Sequence, residues 1–293
     1  NNDMKYIGEK STICNFADDN TIYCYDSNIS DLNRTLQKEV NLFLNWFQSN
    51  QLVANPDKFQ LMYLGSLCKN VDNLPNLMFN DIEIKPKSSA KLLGVVLDNK
   101  LNFNEHIKNV CKVASQYTNC LARIRNHISV KQSRLLYNAY IKSAFGYAPL
   151  VWMFCQKTSY KKIQNIQKRA LRIVFLEHEN TLNEICSVHK KIKIHCKHLC
   201  TLATERFKMF LNLNPSFMSD LFVRKESPYN LRKSNLLKLP EAKSSKYGTD
   251  SVFFQGSLFW NSLPDNMKNL RSVPIFKKAL KSLYFTCTCQ LCR

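Results

Sequence analysis

Along the first hundred residues the apolar and polar positions change period over short distances, as in a small mixed unit. Runs of β-branched and aromatic residues over 12–16 and 21–25 predict two strands, with Phe16, Ala17, Asp18 and Asp19 at the tight turn between them. Over 29–52 the period becomes helical: Leu32, Leu36, Val40, Phe43 and Phe47 recur at spacings of four and three, with Ser30 as the expected N-cap. That stripe needs an apolar face to cover, and the expected face is the sheet made by 12–16 and 21–25. Asn55-Pro56-Asp57 stops the helix. A strand is predicted over 58–64, a small hairpin over 78–84 around Asn80-Asp81, and an apolar strand over 91–97 ended by Asp98-Asn99. That last strand is expected in a separate small hairpin leading to the next helix.

From Phe103 the pattern is helical. Phe103, Ile107, Val110, Ala114, Tyr117, Leu121, Ile124 and Ile128 keep a 4-3 spacing, which predicts one long amphipathic helix. Further helices are expected over 131–145 and 159–175, the latter with Tyr160, Ile163, Ile166, Ala170 and Ile173 inward. Another runs from beyond Lys190 to 213. A Pro- and Ser-containing connection then reaches about 251, followed by helices over 253–261 and 274–284, the last capped by Ser272. The expected class is α+β in three parts: 1–100 mixed, 101–178 helical and strongly basic, and 179–293 helical with a cysteine-bearing tail.

Charge changes this picture more than composition does. The net charge is +20, but residues 1–106 carry 10 basic and 13 acidic side chains. Residues 107–176 carry 13 Lys and Arg and no Asp or Glu, whereas 177–293 hold 19 basic and 9 acidic side chains. A solvated surface ordinarily mixes signs, so a carboxylate-free stretch of this length points to a polyanion. Nucleic acid is the first choice and an acidic membrane surface the second, weakened by the lack of a lipidation signal. The candidate phosphate contacts are Lys108, Lys112, Arg123 and Arg125 on the first of these helices, and Lys161, Lys162, Lys168, Arg169 and Arg172 on the third. The longest apolar run, 148–155, is far below the roughly 20 residues a membrane span needs, so no membrane partner is expected. With no secretory pattern and 12 irregularly spaced cysteines, the expected setting is intracellular, nuclear or cytoplasmic, and not secreted.

Two carboxylates at one hairpin tip repel by roughly 4 kcal/mol at about 4 Å and an effective dielectric near 20. A divalent cation relieves that repulsion, and carboxylate oxygens suit Mg²⁺, which also accepts phosphate oxygens. A solvated Asp-Asp-Asn turn explains the same residues by backbone preference alone. Cys186, His189, His195, Cys196, His198 and Cys200 crowd a short stretch, but they do not form two closely spaced ligand pairs, and most fall on one predicted helix. Cys287, Cys289 and Cys292 supply three thiols, and a fourth ligand is missing before Arg293.

Five segments occur in a telling order: NFADDNTIY, NWFQSNQLVANPDKFQ, KLLGVVLDNKLNFNEHI, LLYNAYIKSAFGYAPLVW and LRKSNLLKLPEAKSS…GSLFWNSLPDNMKNLRSVPIFKKALKSLY. Together they resemble the second half of the reverse transcriptase of non-LTR (LINE-type, jockey-like) retrotransposons. The resemblance implies a partial palm with an aspartate-pair hairpin over 1–100, a basic helical thumb over 101–178 and a helical C-terminal region. It implies Asp18 as a metal ligand, Asp19 beside it in a site for two Mg²⁺ ions, and Lys58 assisting the leaving pyrophosphate. The strand around Gly94 would face the primer terminus. Implied partners are an RNA template with a DNA primer or an RNA–DNA hybrid, and dNTP in the intact enzyme; the oligomeric state has no signal. The family's first catalytic aspartate, its fingers and its endonuclease have no counterpart here, since Asp3 lacks the flanking pattern. The expectation is therefore a truncated or partial RNA-directed DNA polymerase, inactive as this fragment. The alternative is a non-catalytic nucleic-acid-binding module derived from a retroelement.

Overall fold

The computed structural model describes residues 3–17, 19–65, 71–80, 82–219, 222–225, 236–242, 244 and 248–284. They divide into two compact units, 1–106 and 107–293, each described by itself below.

In the first unit, β1 (Thr12–Phe16) and β2 (Asp19–Tyr23) pair antiparallel with Phe16 opposite Asp19. The second strand thus begins at Asp19 and not at Thr21. Ala17 takes a left-handed conformation (φ 54°), which suits the right-handed twist of a short hairpin. None of the ten strand residues is buried. The backbone entering β1 is held by the buried Glu39, whose carboxylate accepts from the Glu9 and Lys10 amides and the Ser11 hydroxyl.

Helix α1 (Ile29–Ser49) begins earlier than a Ser30 cap would allow. Asn28 is the N-cap, its Oδ1 accepting from the Ser30 amide at 2.9 Å. Part of its apolar stripe, Leu32, Leu36 and Val40, covers a different surface from the one expected. Val40 and Leu44 pack with Leu61, Tyr63, Leu74 and the hairpin β3 (Leu77–Phe79)–β4 (Ile82–Ile84), joined by Ile29, Leu32 and Leu36. The Gln37 side chain fixes the register, donating to the Met78 carbonyl and accepting from its amide, both at 2.7 Å. The β3–β4 hairpin presents Leu77, Phe79 and Ile84 to that core, whereas β1–β2 buries nothing, which is why the stripe pairs there.

Residues 58–64 form no strand. Asn55 caps a short 3₁₀ turn (Pro56–Lys58) through its bond from the Asp57 amide at 3.0 Å, and only Leu61 bridges, to Pro86. The run 91–97 is broken into β5 (Ser89–Leu92) and β6 (Val95–Asp98) by Leu93 (φ 46°) and Gly94 (φ 83°). Two successive left-handed residues make a tight hairpin turn, so Gly94 sits at a tip and not within a strand. Asp98 then accepts from the Lys100, Asn102 and Phe103 amides and starts the following helix.

That helix, α2 (Asn104–Ile124), is shorter than the expected 103–128: Phe103 is left-handed (φ 57°), and Arg125–His127 form a 3₁₀ turn. The second unit continues with α3 (Val130–Leu136), opened by a Ser129/Gln132 capping box and carried on by a π turn (Tyr137–Ile141) into α4 (Lys142–Ala144). After α5 (Pro149–Trp152), α6 (Lys157–Phe175) follows. Helix α7 (Leu182–Val188), with its Thr181/Glu184 capping box, lies where no helix is expected from the hydrophobic period. Helix α8 (Ile194–Phe210) is buried nearly all round and forms the axis of the unit. Around it lie α9 (Ser216–Ser219), α10 (Val252–Ser262), α11 (Asp265–Lys268) and α12 (Val273–Tyr284). The core centres on Phe207 and Phe276, stacked with centroids 4.1 Å apart, with Leu202, Trp260 and Leu280. Among the described residues, no helix is long and apolar enough to cross a membrane.

Candidate nucleic-acid interface and aspartate turn

Asp19 stands exposed at the first position of β2, opposite Phe16 at the end of β1. Among the described residues it makes no ion pair, so its carboxylate is open to a cation. Asp18 lies outside the described residues. One exposed carboxylate with an adjacent one in sequence suits a hard cation that keeps water and phosphate oxygens as further ligands; it does not make an all-protein cage. Lys58 is exposed at the end of the 3₁₀ turn, its amide bonded to the Asn55 carbonyl at 3.2 Å. It is therefore a turn lysine and not the start of a strand.

Most of the cations chosen from the basic stretch do reach solvent. Lys108, Lys112 and Arg123 are exposed along α2, and Lys161, Lys162 and Arg169 along α6. Lys168 is half-buried and close enough to Glu184 to help hold that carboxyl below its ordinary range, after the larger effect of the Thr181 hydrogen bonds.

Two of the expected contacts are internal. Arg125 is buried; its Nε donates to the Ile173 and Val174 carbonyls at 3.0 and 3.2 Å, and its Nη1 to the Ile128 carbonyl at 3.0 Å. It closes the C-terminal turn of α6, whose last carbonyls lack partners within the helix. Arg172 likewise donates to the Asn180 carbonyl at 2.8 Å and the Glu179 carbonyl at 3.2 Å, tying down the loop after α6. Both guanidiniums are thus engaged by backbone carbonyls, where the sequence leads one to expect phosphate contacts. Their internal role is invisible in sequence because the carbonyls they serve are far away along the chain or in a loop.

A further cationic group has no signature in the sequence. Burial first, and then the neighbouring Lys197, Lys191 and Lys281, pull the Lys142 ammonium below its ordinary value. These four lysines come from α4, the segment before α8, α8 and α12, so no local charge run marks them.

The histidine and cysteine residues around α8 are engaged in packing. His198 donates from Nε2 to the Phe145 carbonyl at 2.8 Å and meets Trp152 edge-on. Burial lowers its pKa to about 4. His195 meets Tyr160 edge-on, and His189 stacks flat on Phe175 while bonded to Glu177. Burial raises the Cys186 thiol to about 11. Among the described residues, no three His, Cys, Asp or Glu side chains are grouped to hold a metal. Cys287, Cys289 and Cys292 lie outside the described residues.

The fold is thus α+β: small antiparallel hairpins around one packing helix, and a larger helical unit carrying the carboxylate-free basic stretch. The chain's curated homologues are RNA-directed DNA polymerases of jockey-like mobile elements from Drosophila. It is 24% identical over 173 residues to the probable RNA-directed DNA polymerase from transposon BS of Drosophila melanogaster. It is 25% identical over 169 residues to the RNA-directed DNA polymerase from mobile element jockey of the same species. Each alignment covers 56% of this chain and spans only 18% of the relative's own length. No family model and no solved structure matches the chain.

Proposed function

We propose that the chain is a segment of the reverse transcriptase of a jockey-like non-LTR retrotransposon, comprising part of the palm, the thumb and a helical C-terminal region. The observation that carries this reading is the β1–β2 register, which pairs Phe16 with Asp19 and puts Asp19 on the surface at the start of β2, close after the left-handed Ala17. Similarity to the jockey-type polymerases supports it. Asp18 and Asp19 would hold Mg²⁺, which when bound neutralises phosphate charge and polarises the reacting oxygens. Lys58 would stand ready to neutralise the pyrophosphate leaving group. Lys108, Lys112, Arg123, Lys161, Lys162 and Arg169, all exposed, would bind the phosphates of an RNA template with its DNA primer. Such work is intracellular, where element RNA and chromosomal DNA meet.

The chain by itself is incomplete for polymerisation, because two adjacent carboxylates leave a two-ion site without its bridging ligand. A second reading, a nucleic-acid-binding module without catalysis, is favoured by one observation: nothing in β1–β2 is buried, so the aspartate turn lacks the packed support a catalytic site needs. Primer extension on an RNA template with Mg²⁺ and dNTPs, run beside binding assays, separates the readings. We expect binding to RNA–DNA hybrid that weakens steeply with salt, and no extension. Extension that disappears in Asp18→Ala would establish catalysis by the chain alone; absence of any nucleic-acid binding would overturn both readings.

A further inference from the structure

On the carboxylate-free stretch, two tyrosines pair on the surface. Tyr117 of α2 is 41% exposed and Tyr140 of the π turn is 50% exposed. Their ring centroids are 5.2 Å apart and their planes tilted by 35°. Exposing two large rings side by side costs apolar hydration, and the backbone contributes to it. In an ordinary α-helix, residue 140 would lie close to the face of Tyr137 and Ile141, which are both buried. The wider π turn over Tyr137–Ile141 swings the intervening Tyr140 away from the core while keeping those two inside. Tyr117 sits beside exposed Val113 and Ile124 at the flank of α2, bordering the buried face of Ala114, Thr118 and Leu121.

Residues 107–176, which carry both tyrosines, contain 13 Lys and Arg and no Asp or Glu, so the chain on either side of the pair is cationic. A ligand with a flat π face and a negative backbone matches both features. We infer that Tyr117 and Tyr140 form a stacking ledge for an unpaired nucleobase, which gives the basic helical unit a preference for single-stranded over duplex nucleic acid. This rests on the proposed nucleic-acid binding of that unit and adds to it a selectivity that charge alone lacks. Stacking is available only where a base is unpaired and its face is free, whereas phosphate contacts form on duplex and single strand alike.

The test uses the full chain, a labelled single-stranded oligo-U and a labelled RNA–DNA hybrid of equal length, measured by fluorescence anisotropy over a salt series. The variants are Tyr117→Ala with Tyr140→Ala, and Tyr117→Phe with Tyr140→Phe, with circular dichroism to confirm the fold. The alanine pair should weaken oligo-U binding on the order of 10-fold, leave the hybrid within about 2-fold and keep the salt slope. The phenylalanine pair should bind as wild type, since the ring face and not the hydroxyl carries the contact. Unchanged oligo-U affinity in the alanine pair overturns the inference, as does an equal loss on both probes. Loss of self-association on sedimentation with unchanged RNA binding would assign the ledge to a second copy of the chain, and also overturns it. A wild type that binds neither probe overturns the nucleic-acid reading itself.

Discussion

The two units bury their apolar residues in opposite ways. In 1–106, the core is a small cluster of α1 against β3–β4, and the hairpin bearing Asp19 stands outside it with no buried residue. In 107–293, one nearly all-round buried helix, α8, is wrapped by others, and Phe207, Trp260, Phe276 and Leu280 are essentially sealed. A lone two-stranded hairpin is marginal in water, while a helix packed on several sides carries its own stability. The candidate metal turn therefore depends on support beyond its own strands, whereas the candidate binding unit has a buried core of its own. In the first unit a buried carboxylate, Glu39, holds the backbone entering β1, but not the turn at its far end.

The strongest way to break that comparison is to damage the larger core. Phe276→Ala removes a fully buried ring stacked on Phe207 and should destabilise the 107–293 unit by about 3–5 kcal/mol. Calorimetry should show its transition falling while that of 1–106 stays. A common shift of both would show that the units do not fold separately.

A smaller effect comes from acid. His198 has its pKa lowered to about 4 by burial, against an ordinary value near 6.5. Between those values the unfolded chain binds the proton and the folded chain does not, so stability falls as pH drops through that window, by roughly 3 kcal/mol in all. His198→Gln keeps a donor for the Phe145 carbonyl and should flatten this slope in urea titrations between pH 7 and 4. An unflattened slope would move the acid sensitivity to other groups.

The mildest comparison is between cations of the basic stretch. Arg125→Met leaves three carbonyls without their donor and should cost about 1–3 kcal/mol while leaving the salt dependence of RNA binding unchanged. Lys161→Gln with Lys162→Gln should alter stability by no more than about 0.5 kcal/mol. It should instead flatten the plot of log affinity against log salt by roughly 0.7–0.9 for each phosphate no longer neutralised. Equal salt slopes in the two variants would erase the distinction between internal and surface cations.

Much of the fold is legible in the chain. The period of Leu32, Leu36 and Val40 marks α1, the Asn80 turn marks β3–β4, and the spacing of Ile107, Ala114 and Leu121 marks α2. Where the pattern misleads, conformational detail or distant partners decide. Leu93 and Gly94 look like strand residues until both adopt positive φ, and 58–64 looks like a strand until the Asn55 cap commits its start to a turn. The buried side of α2 includes Cys111 and Thr118, and Arg125 just beyond it, while Tyr117 and Ile124, which share the apolar period, lie outside. A polar residue inside is stable only if a partner waits there, as the Ala114 carbonyl does for Thr118, and such partners are invisible to periodicity.

The sequence by itself determined the charge partition, the helical period of the second unit and the placement of two adjacent aspartates between two strand-forming runs. These follow from local chemistry: side-chain charge, backbone preference and hydrophobic period act over a few residues. Only the tertiary structure decided which surface α1 covers, which arginines are spent on helix ends and loops, which lysines gather around Lys142, and that Tyr117 meets Tyr140 on the surface. Each of these depends on groups brought together from distant parts of the chain, where desolvation and unpaired carbonyls, and not local preference, set the outcome.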